Sequence, residues 1–332
     1  MSVVFFSFFR WMQGHTMLEF FALAALMLVA ALLAWSGLDA WRTRKGLIKW
    51  SGAGVAAVLS TAATLMSLIS IVGLFKLHAR SAPAPVTKVE GTPEQVRRGK
   101  AISDGFCSAC HSTTGTLTGG LDVGKYFPVP IGSLMASNLT PAGRLSRWND
   151  ADIFRAIRNS VDPDGNWLVV MSYTNAGRLS DEDIRAVIAY VRGLPAIGKP
   201  TDDPPDHLNL LGIAMLGAGM LPQGAPVSLG EIKAPPAGST SEYGEYILSY
   251  QDCRSCHGEK LTGGVPGRLG PQGPDLNLVK EWKLEEFVAT MRTGVDRSGH
   301  ELSKQMPWQS IGRMSDEELK AVYEYLTRLP NP

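Results

Sequence analysis

Cysteine is scarce in this chain: 332 residues hold four, and all four lie in two C-x-x-C pairs. None is left over, so a disulfide framework is excluded. Basic charge is also in short supply in the later part of the chain, 12 Lys/Arg against 18 Asp/Glu over residues 200–332. The net charge of +1 divides into +5 over residues 1–80, +2 over 81–199 and −6 over 200–332. Without a basic stripe on the soluble part, nucleic acid is not an expected partner. Long apolar runs are absent after residue 80 as well. Nothing outside the two cysteine regions reads as an output domain.

What is present is one pattern written twice. Cys107-Ser-Ala-Cys110-His111 returns 146 residues later as Cys253-Arg-Ser-Cys256-His257. A bare CxxC could be half of a zinc site or a redox dithiol. C-x-x-C-H is the pattern of c-type haem attachment. Two thiols one helical turn apart reach the two vinyl groups of a porphyrin, and the adjoining histidine falls under the iron. Two copies in matching contexts point to two covalently bound haem c groups. In bacteria covalent haem attachment happens outside the cytoplasmic membrane, so the haem regions belong there.

The N-terminal quarter supplies a membrane segment. Phe20–Leu38 runs 19 residues without a charge and Ser51–Phe75 another 25. A span needs about 20 apolar residues for a hydrocarbon core of about 30 Å, so helices are expected over about 18–38 and 51–75. Arg42, Arg44, Lys45 and Lys49 lie between them, which makes that loop cytoplasmic by the positive-inside rule. The N-terminus and the chain after about His78 then face the periplasm. Trp35, Trp41 and Trp50 mark the inner boundary. Gly52, Ala53, Gly54, Ala56, Ala57, Ser60, Ala62 and Ala63 would let the second helix pack closely on the first or on a partner's helices. Ser2–Phe9 is apolar but too short to span and reads as an interfacial stub.

Two haem units follow. Thr92-Pro93-Glu94 starts a helix that runs into Cys107, and Glu242–Tyr250 does the same for Cys253. An electron carrier wants a soft sixth ligand on the far face of the iron. Met171 and Met135 are the candidates in the first unit, and the repeat chooses between them. Leu261-Thr-Gly-Gly264 echoes Leu117-Thr-Gly-Gly120, and Ser315-Asp-Glu-Glu318 echoes the helix cap at Ser180-Asp-Glu-Asp183. Met306 stands seven residues before Arg313, as Met171 stands seven before Arg178. The apolar stripes behind both caps keep that register, and no methionine in the second unit answers Met135. His111/Met171 and His257/Met306 are therefore the expected iron ligands. Pro130 and Pro274, 19 and 17 residues beyond their histidines, are placed for a carbonyl of their loop to accept the imidazole Nδ1–H, with ordinary loop prolines as the equal alternative. His207 and His300 read as surface or linker histidines, with alternative ligation as the rival reading.

The expected organisation is mainly α: a two-helix transmembrane hairpin (1–80), a linker (81–90, including the extended Ser81–Val86), a first class I-like cytochrome c domain (91–198), a Pro-rich linker (199–240) and a second such domain (241–332). Within the second linker Leu208–Leu221 is apolar but too short to span. It should pack between the haem domains, on a partner or on the membrane surface.

With these residues laid out, the chain resembles the cytochrome c subunit of membrane-bound alcohol, gluconate and aldehyde dehydrogenases. The likeness is carried by Pro130-Ile-Gly132, Asn138-Leu-Thr-Pro141, Trp148, Phe154, Met171-Ser-Tyr173 and Leu179-Ser-Asp-Glu-Asp183. The second unit is similar to C-family oxidase-type cytochrome c domains through Pro274-Asp-Leu276, Met291-Arg-Thr-Gly294 and Met306-Pro-Trp308. The resemblance implies His/Met ligation. It departs from the dehydrogenase pattern in having two haem motifs rather than three, Ser172 for a proline and Ala142 for an acid. Two N-terminal spans resemble instead the dihaem subunit of C-family haem-copper oxidases.

The expected function is electron relay in the bacterial inner membrane, with no bond chemistry at either iron. Partners would be other subunits of a membrane redox complex, membrane lipid, and a soluble cytochrome or other carrier, steered if basic by the acidic second unit. A dihaem peroxidase or a haem-based sensor is the alternative, and each would need an open iron position.

Overall fold

The computed structural model describes residues 16–85, 89–112, 115–201, 206–221, 224, 226–264 and 272–330; Ser2–Phe9 lies outside them. The uncharged runs form helices α1 (Thr16–Arg42) and α2 (Ala53–His78), the latter entered through a π turn at Ile48–Gly52. Glu19–Arg42 and Lys49–His78, 24 and 30 residues, are long and apolar enough to cross a membrane. The hairpin packs on itself along its small residues. A Cβ on Gly37 would stand 3.1 Å from Ala56 Cβ, and Ser60 Oγ donates to Ala30 O at 3.0 Å. At the turn, Lys49 lies over the Trp41 ring at 4.5 Å and Trp50 meets Trp41 edge-on.

The first unit contains α3 (Pro93–Ile102), α4 (Ser108–His111), strand β1 (Gly132–Leu134), α5 (Asp150–Asn159), α6 (Val169–Tyr173) and α7 (Asp181–Arg192). The segment after it carries β2 (Asp206–Leu208) and α8 (Leu210–Gly217). The second unit repeats the plan with α9 (Ser241–Tyr250), α10 (Cys253–His257), α11 (Leu284–Thr293), α12 (Trp308–Ile311) and α13 (Asp316–Leu326). Side-chain caps start the helices where the sequence provides them: Thr92, Ser180, Thr240 and Ser315 each accept a backbone N–H three residues on.

Each unit is built on one helix crossing, and glycine sets its depth. A Cβ on Gly99 of α3 would lie 1.9 Å from Ala186 O of α7; on Gly244 of α9 it would lie 2.0 Å from Ala321 O of α13. Only hydrogen can occupy either contact. Ile102, Phe154, Ile184 and Ile188 in the first unit join Ile247, Phe287, Leu319 and Val322 of the second in one continuous apolar core. A polar clamp closes the same seam. Arg98 of α3 forks onto Asp183 of α7 at 2.7 and 2.8 Å and reaches Glu318 of α13 at 2.6 Å. Tyr246 of α9 donates to the same Asp183 at 2.6 Å. The fork of guanidinium donors satisfies two carboxylates that burial would otherwise penalise.

The first unit is also seated on the hairpin. β1 pairs antiparallel with β2, Ser133 opposite His207, and α8 lies across the C-terminal part of α2. Leu74 and Leu77 of α2 share a second core with Ile131, Leu134, Trp167, Val169, Leu208, Ile213 and Leu216. Trp167 N donates to Leu77 O at 2.7 Å, and buried His78 bridges Glu19 of α1 (3.0 Å) and Asn166 (2.9 Å). The Pro-rich segment after the first unit thus carries the strand and helix that fasten that unit to the hairpin.

Candidate haem sites

In the first unit α3 continues through a π turn at Ser103–Cys107 directly into α4, so Cys107, Cys110 and His111 reach one wall of a single cavity. Leu145, Trp148, Ile153, Leu168, Leu179 and Val187 make much of the rest of an apolar lining, and Met171 of α6 lines it too. His111 Nδ1 donates to Ser137 O at 2.7 Å, which leaves Nε2 as the nitrogen with a lone pair for a metal. Burial pushes the Cys107 thiol up to about 12 and raises that of Cys110. Such thiols stay protonated at neutral pH, unlike a redox dithiol, which needs an accessible thiolate. A large apolar cavity with two thiols, an oriented imidazole and a thioether on its walls fits a haem attached through the cysteines. His111 and Met171 would hold the iron.

Two charged groups reach the same cavity. Arg144 is buried, pairs with Asp162 at 3.0 Å and lies over the Trp148 ring at 4.5 Å. It lines the cavity as a cation, and would offset the carboxylates of a haem bound there. Asp206, delivered by β2, accepts from Val169 N at 2.7 Å. Burial pushes its carboxyl up to about 7, against the opposing pull of that N–H and of Arg144.

The remaining wall comes from the second unit. Gln251, Asp252, Pro307 and Ser310 line the first cavity. Asp252 is the residue before Cys253, and Pro307 the residue after Met306. Asp252 holds a left-handed backbone (φ 59°), which an aspartate tolerates, and accepts from both Asn175 N (2.8 Å) and Asn175 Nδ2 (2.6 Å). Asn175 follows Met171 by four residues. Ser108, inside the first CxxCH, donates to Ser310 at 3.3 Å.

In the second unit α10 presents Cys253, Cys256 and His257. His257 Nδ1 donates to Pro274 O at 2.8 Å, and Gly273 lies against the ring, where a Cβ would come within 2.5 Å of Nδ1. Burial pushes the Cys253 thiol up to about 12. Met306 packs on the shared core immediately before α12.

The expectation for Pro274 matches this geometry, but that for Pro130 does not. The carbonyl holding His111 belongs to Ser137, and Pro130 O accepts from Asn209 Nδ2 instead. Counting from the histidines paired the two prolines, but the first unit carries an insertion of nine residues ahead of this carbonyl. The matched turns show it: Leu139 N bonds Leu117 O as Leu276 N bonds Leu261 O. The insertion contains β1. Met135 also lines the first cavity, yet it stands two residues from Ser137, on the segment that backs His111, whereas Met171 arrives on a separate helix. His300 is an exposed turn residue bonded to Asp296, and His207 sits in β2. Arg144, Asp206, Asn175 and Asp252 were not singled out from sequence. Their roles arise from contacts across the fold, and no local pattern marks them.

A cytochrome c family model matches residues 96–195 and 241–330. The chain is 24% identical over 258 residues to the cytochrome c subunit of alcohol dehydrogenase (quinone) from Gluconacetobacter polyoxogenes, covering 68% of this chain and 54% of that protein. It is 33% identical over 95 residues to the gluconate 2-dehydrogenase cytochrome c subunit of Pantoea cypripedii, covering 25% of this chain and 21% of that one. With a diheme cytochrome c-type protein of Cereibacter sphaeroides it shares 32% identity over 137 residues, 38% of this chain and 44% of the relative. The chain thus spans about half the length of the first relatives it matches.

Proposed function

The chain belongs to the cytochrome c family, and on that premise we propose that it is a membrane-anchored dihaem electron-transfer subunit of a respiratory redox complex. A haem iron held by imidazole and thioether changes charge by one electron without binding substrate. The chain's residues would attach one group through Cys107 and Cys110 and ligate it with His111 and Met171. Cys253, Cys256, His257 and Met306 would do the same for the second. The observation that carries the relay is the shared wall. Asp252 and Pro307 line the first cavity while adjoining the second unit's Cys253 and Met306. The protein layer between the two sites is therefore thin, and the Arg98 clamp holds its two sides in register.

Two apolar helices, with the basic loop between them, support the reading of an anchor in the inner membrane with both haem units on the periplasmic side. Partners are other subunits of the complex and an electron carrier. Purification from membranes in mild detergent tests this reading. The expected result is copurification with a dehydrogenase or oxidase subunit whose substrate reduces or oxidises both haems. Peroxide turnover by the isolated chain would contradict it.

A further inference from the structure

Helix α2 is longer than a bilayer requires. Lys49–His78 holds 30 residues, about 45 Å of helix at about 1.5 Å per residue against a hydrocarbon core of about 30 Å. With Trp41, Lys49 and Trp50 at the inner face, the hydrocarbon ends near Ser70, about 20 residues on. Burial changes at that height. Val55, Val58, Leu59 and Leu65 are exposed, whereas Ser70, Gly73, Leu74, Leu77 and His78 are buried in protein.

Helix α8 crosses α2 at this level. A Cβ on Gly217 would lie 1.9 Å from Ile69 O, and one on Gly73 would lie 2.1 Å from Ile213 O. Gly212, Ile213 and Leu216 face the protein. The opposite side is apolar and uncovered: Leu211 is 47% exposed and Met220, just beyond the helix, 69%. On α2, beside the crossing at Ile69 and Gly73, Leu68, Val72 and Phe75 are exposed apolar residues as well. The ends of α8 suit a poorly hydrated place. Asn209 Oδ1 accepts from Gly212 N at 3.0 Å, and Lys76 Nζ donates to Leu216 O at 3.1 Å and Gly217 O at 3.4 Å. A lysine at the membrane surface, free to reach water, is instead spent on the last carbonyls of an apolar helix.

We propose that α8 is an interfacial membrane helix, its Leu211–Met220 side immersed in the outer leaflet, and that with the outer turns of α2 it sets the height and tilt of the first cytochrome unit above the bilayer. The occupant of this apolar face is lipid. The face stands beside the exposed apolar residues of a candidate span, at the depth where hydrocarbon would give way to headgroups. The unit is thereby held on two supports, the end of the hairpin and α8. The haem cavity it carries keeps a fixed distance from the membrane.

The inference rests on the reading of Lys49–His78 as a membrane span, and the test separates the two. Single cysteines are placed by Leu211→Cys, Met220→Cys, Val58→Cys (mid-span) and Leu229→Cys, the last at an 82% exposed residue outside α8. The haem-loaded full chain in phospholipid vesicles is treated with a charged, membrane-impermeant maleimide, and in parallel with a photoactivatable diazirine lipid. Leu211→Cys and Met220→Cys should label about tenfold slower than Leu229→Cys, and the wild-type 211–220 segment should cross-link to lipid. Should both label as fast as Leu229→Cys while Val58→Cys stays shielded, α8 lies in water and the proposal is overturned with the span intact. Shielding without lipid cross-linking would give the face to a protein partner, which also overturns it. Rapid labelling of Val58→Cys would remove the span itself and the proposal with it.

Discussion

The two cytochrome units share a helix crossing, a CxxCH helix, a carbonyl behind the histidine and a methionine ahead of a capped helix, yet they are fastened differently. In the first, Met171 lies 60 residues beyond His111; in the second, Met306 lies 49 beyond His257. Most of the excess lies ahead of Ser137, where it forms β1, and β1 recruits β2 and α8 onto the membrane hairpin. The second unit, without that insertion, meets the first through the core seam, the Arg98 clamp and the contacts of Asp252 and Ser310 at the first cavity. The repeated parts carry the candidate haem residues, and the hairpin is met by the unrepeated β1, β2 and α8 together with the turn at Asn166 and Trp167. A repeat can therefore keep its ligand geometry while its loops take on separate attachments.

If the crossing is the common foundation, breaking it should cost both units alike. Gly99→Val and Gly244→Val each force a side chain into a backbone carbonyl, so each should destabilise its own unit by about 3 kcal/mol or more. Urea unfolding followed at the haem absorbance would measure this. A mild effect at one glycine and a severe one at the other would end the equivalence. The methionines sharpen the comparison next. Met171→Leu and Met306→Leu should each remove half of the near-infrared Fe(III)–Met absorbance and lower one haem potential, while Met135→Leu should change neither.

Much of this plan is legible in the sequence because it is local. Ser180 and Ser315 announce their helices, and the apolar stripes behind them keep one offset from Met171 to Met306. The pairing of Pro130 with Pro274 fails for a physical reason: an insertion shifts every count made from the histidine, and only the hydrogen bonds of the Leu117 and Leu261 turns restore the register. β1 and β2 are three residues each, too short for an alternating pattern to show. The bonds from Arg98 to Asp183 and Glu318 join residues 85 and 220 positions apart, which no local periodicity encodes.

The clamp gives the next prediction. Arg98→Ala leaves two buried carboxylates without their shared cation and should cost about 2–3 kcal/mol, less than a fully buried pair because the arginine is partly exposed. Unfolding should then separate into two transitions in calorimetry, with the first unit, still seated on the hairpin, as the later one.

The last prediction concerns Asp206, which has no counterpart among the described residues of the second unit. Its folded carboxyl keeps a proton up to about pH 7, whereas an unfolded one loses it near about pH 4. Between those values the folded state binds more protons, so stability falls as pH rises through the window and is level above it. Asp206→Asn keeps an oxygen to accept from Val169 N and should flatten that slope, gaining stability at pH 8 and little at pH 4. Thermal melts across this range would read it. An unchanged slope would remove Asp206 as its source.

All of this depends on two irons each held between an imidazole and a methionine sulfur. The most direct measurement is the near-infrared spectrum of the oxidised full chain, paired with carbon monoxide exposure of the reduced form. The account predicts Fe(III)–Met absorbance of an intensity matching two haems per chain and no ready carbon monoxide binding. Absorbance for one haem or none, or a reduced centre that takes up carbon monoxide at once, would contradict it.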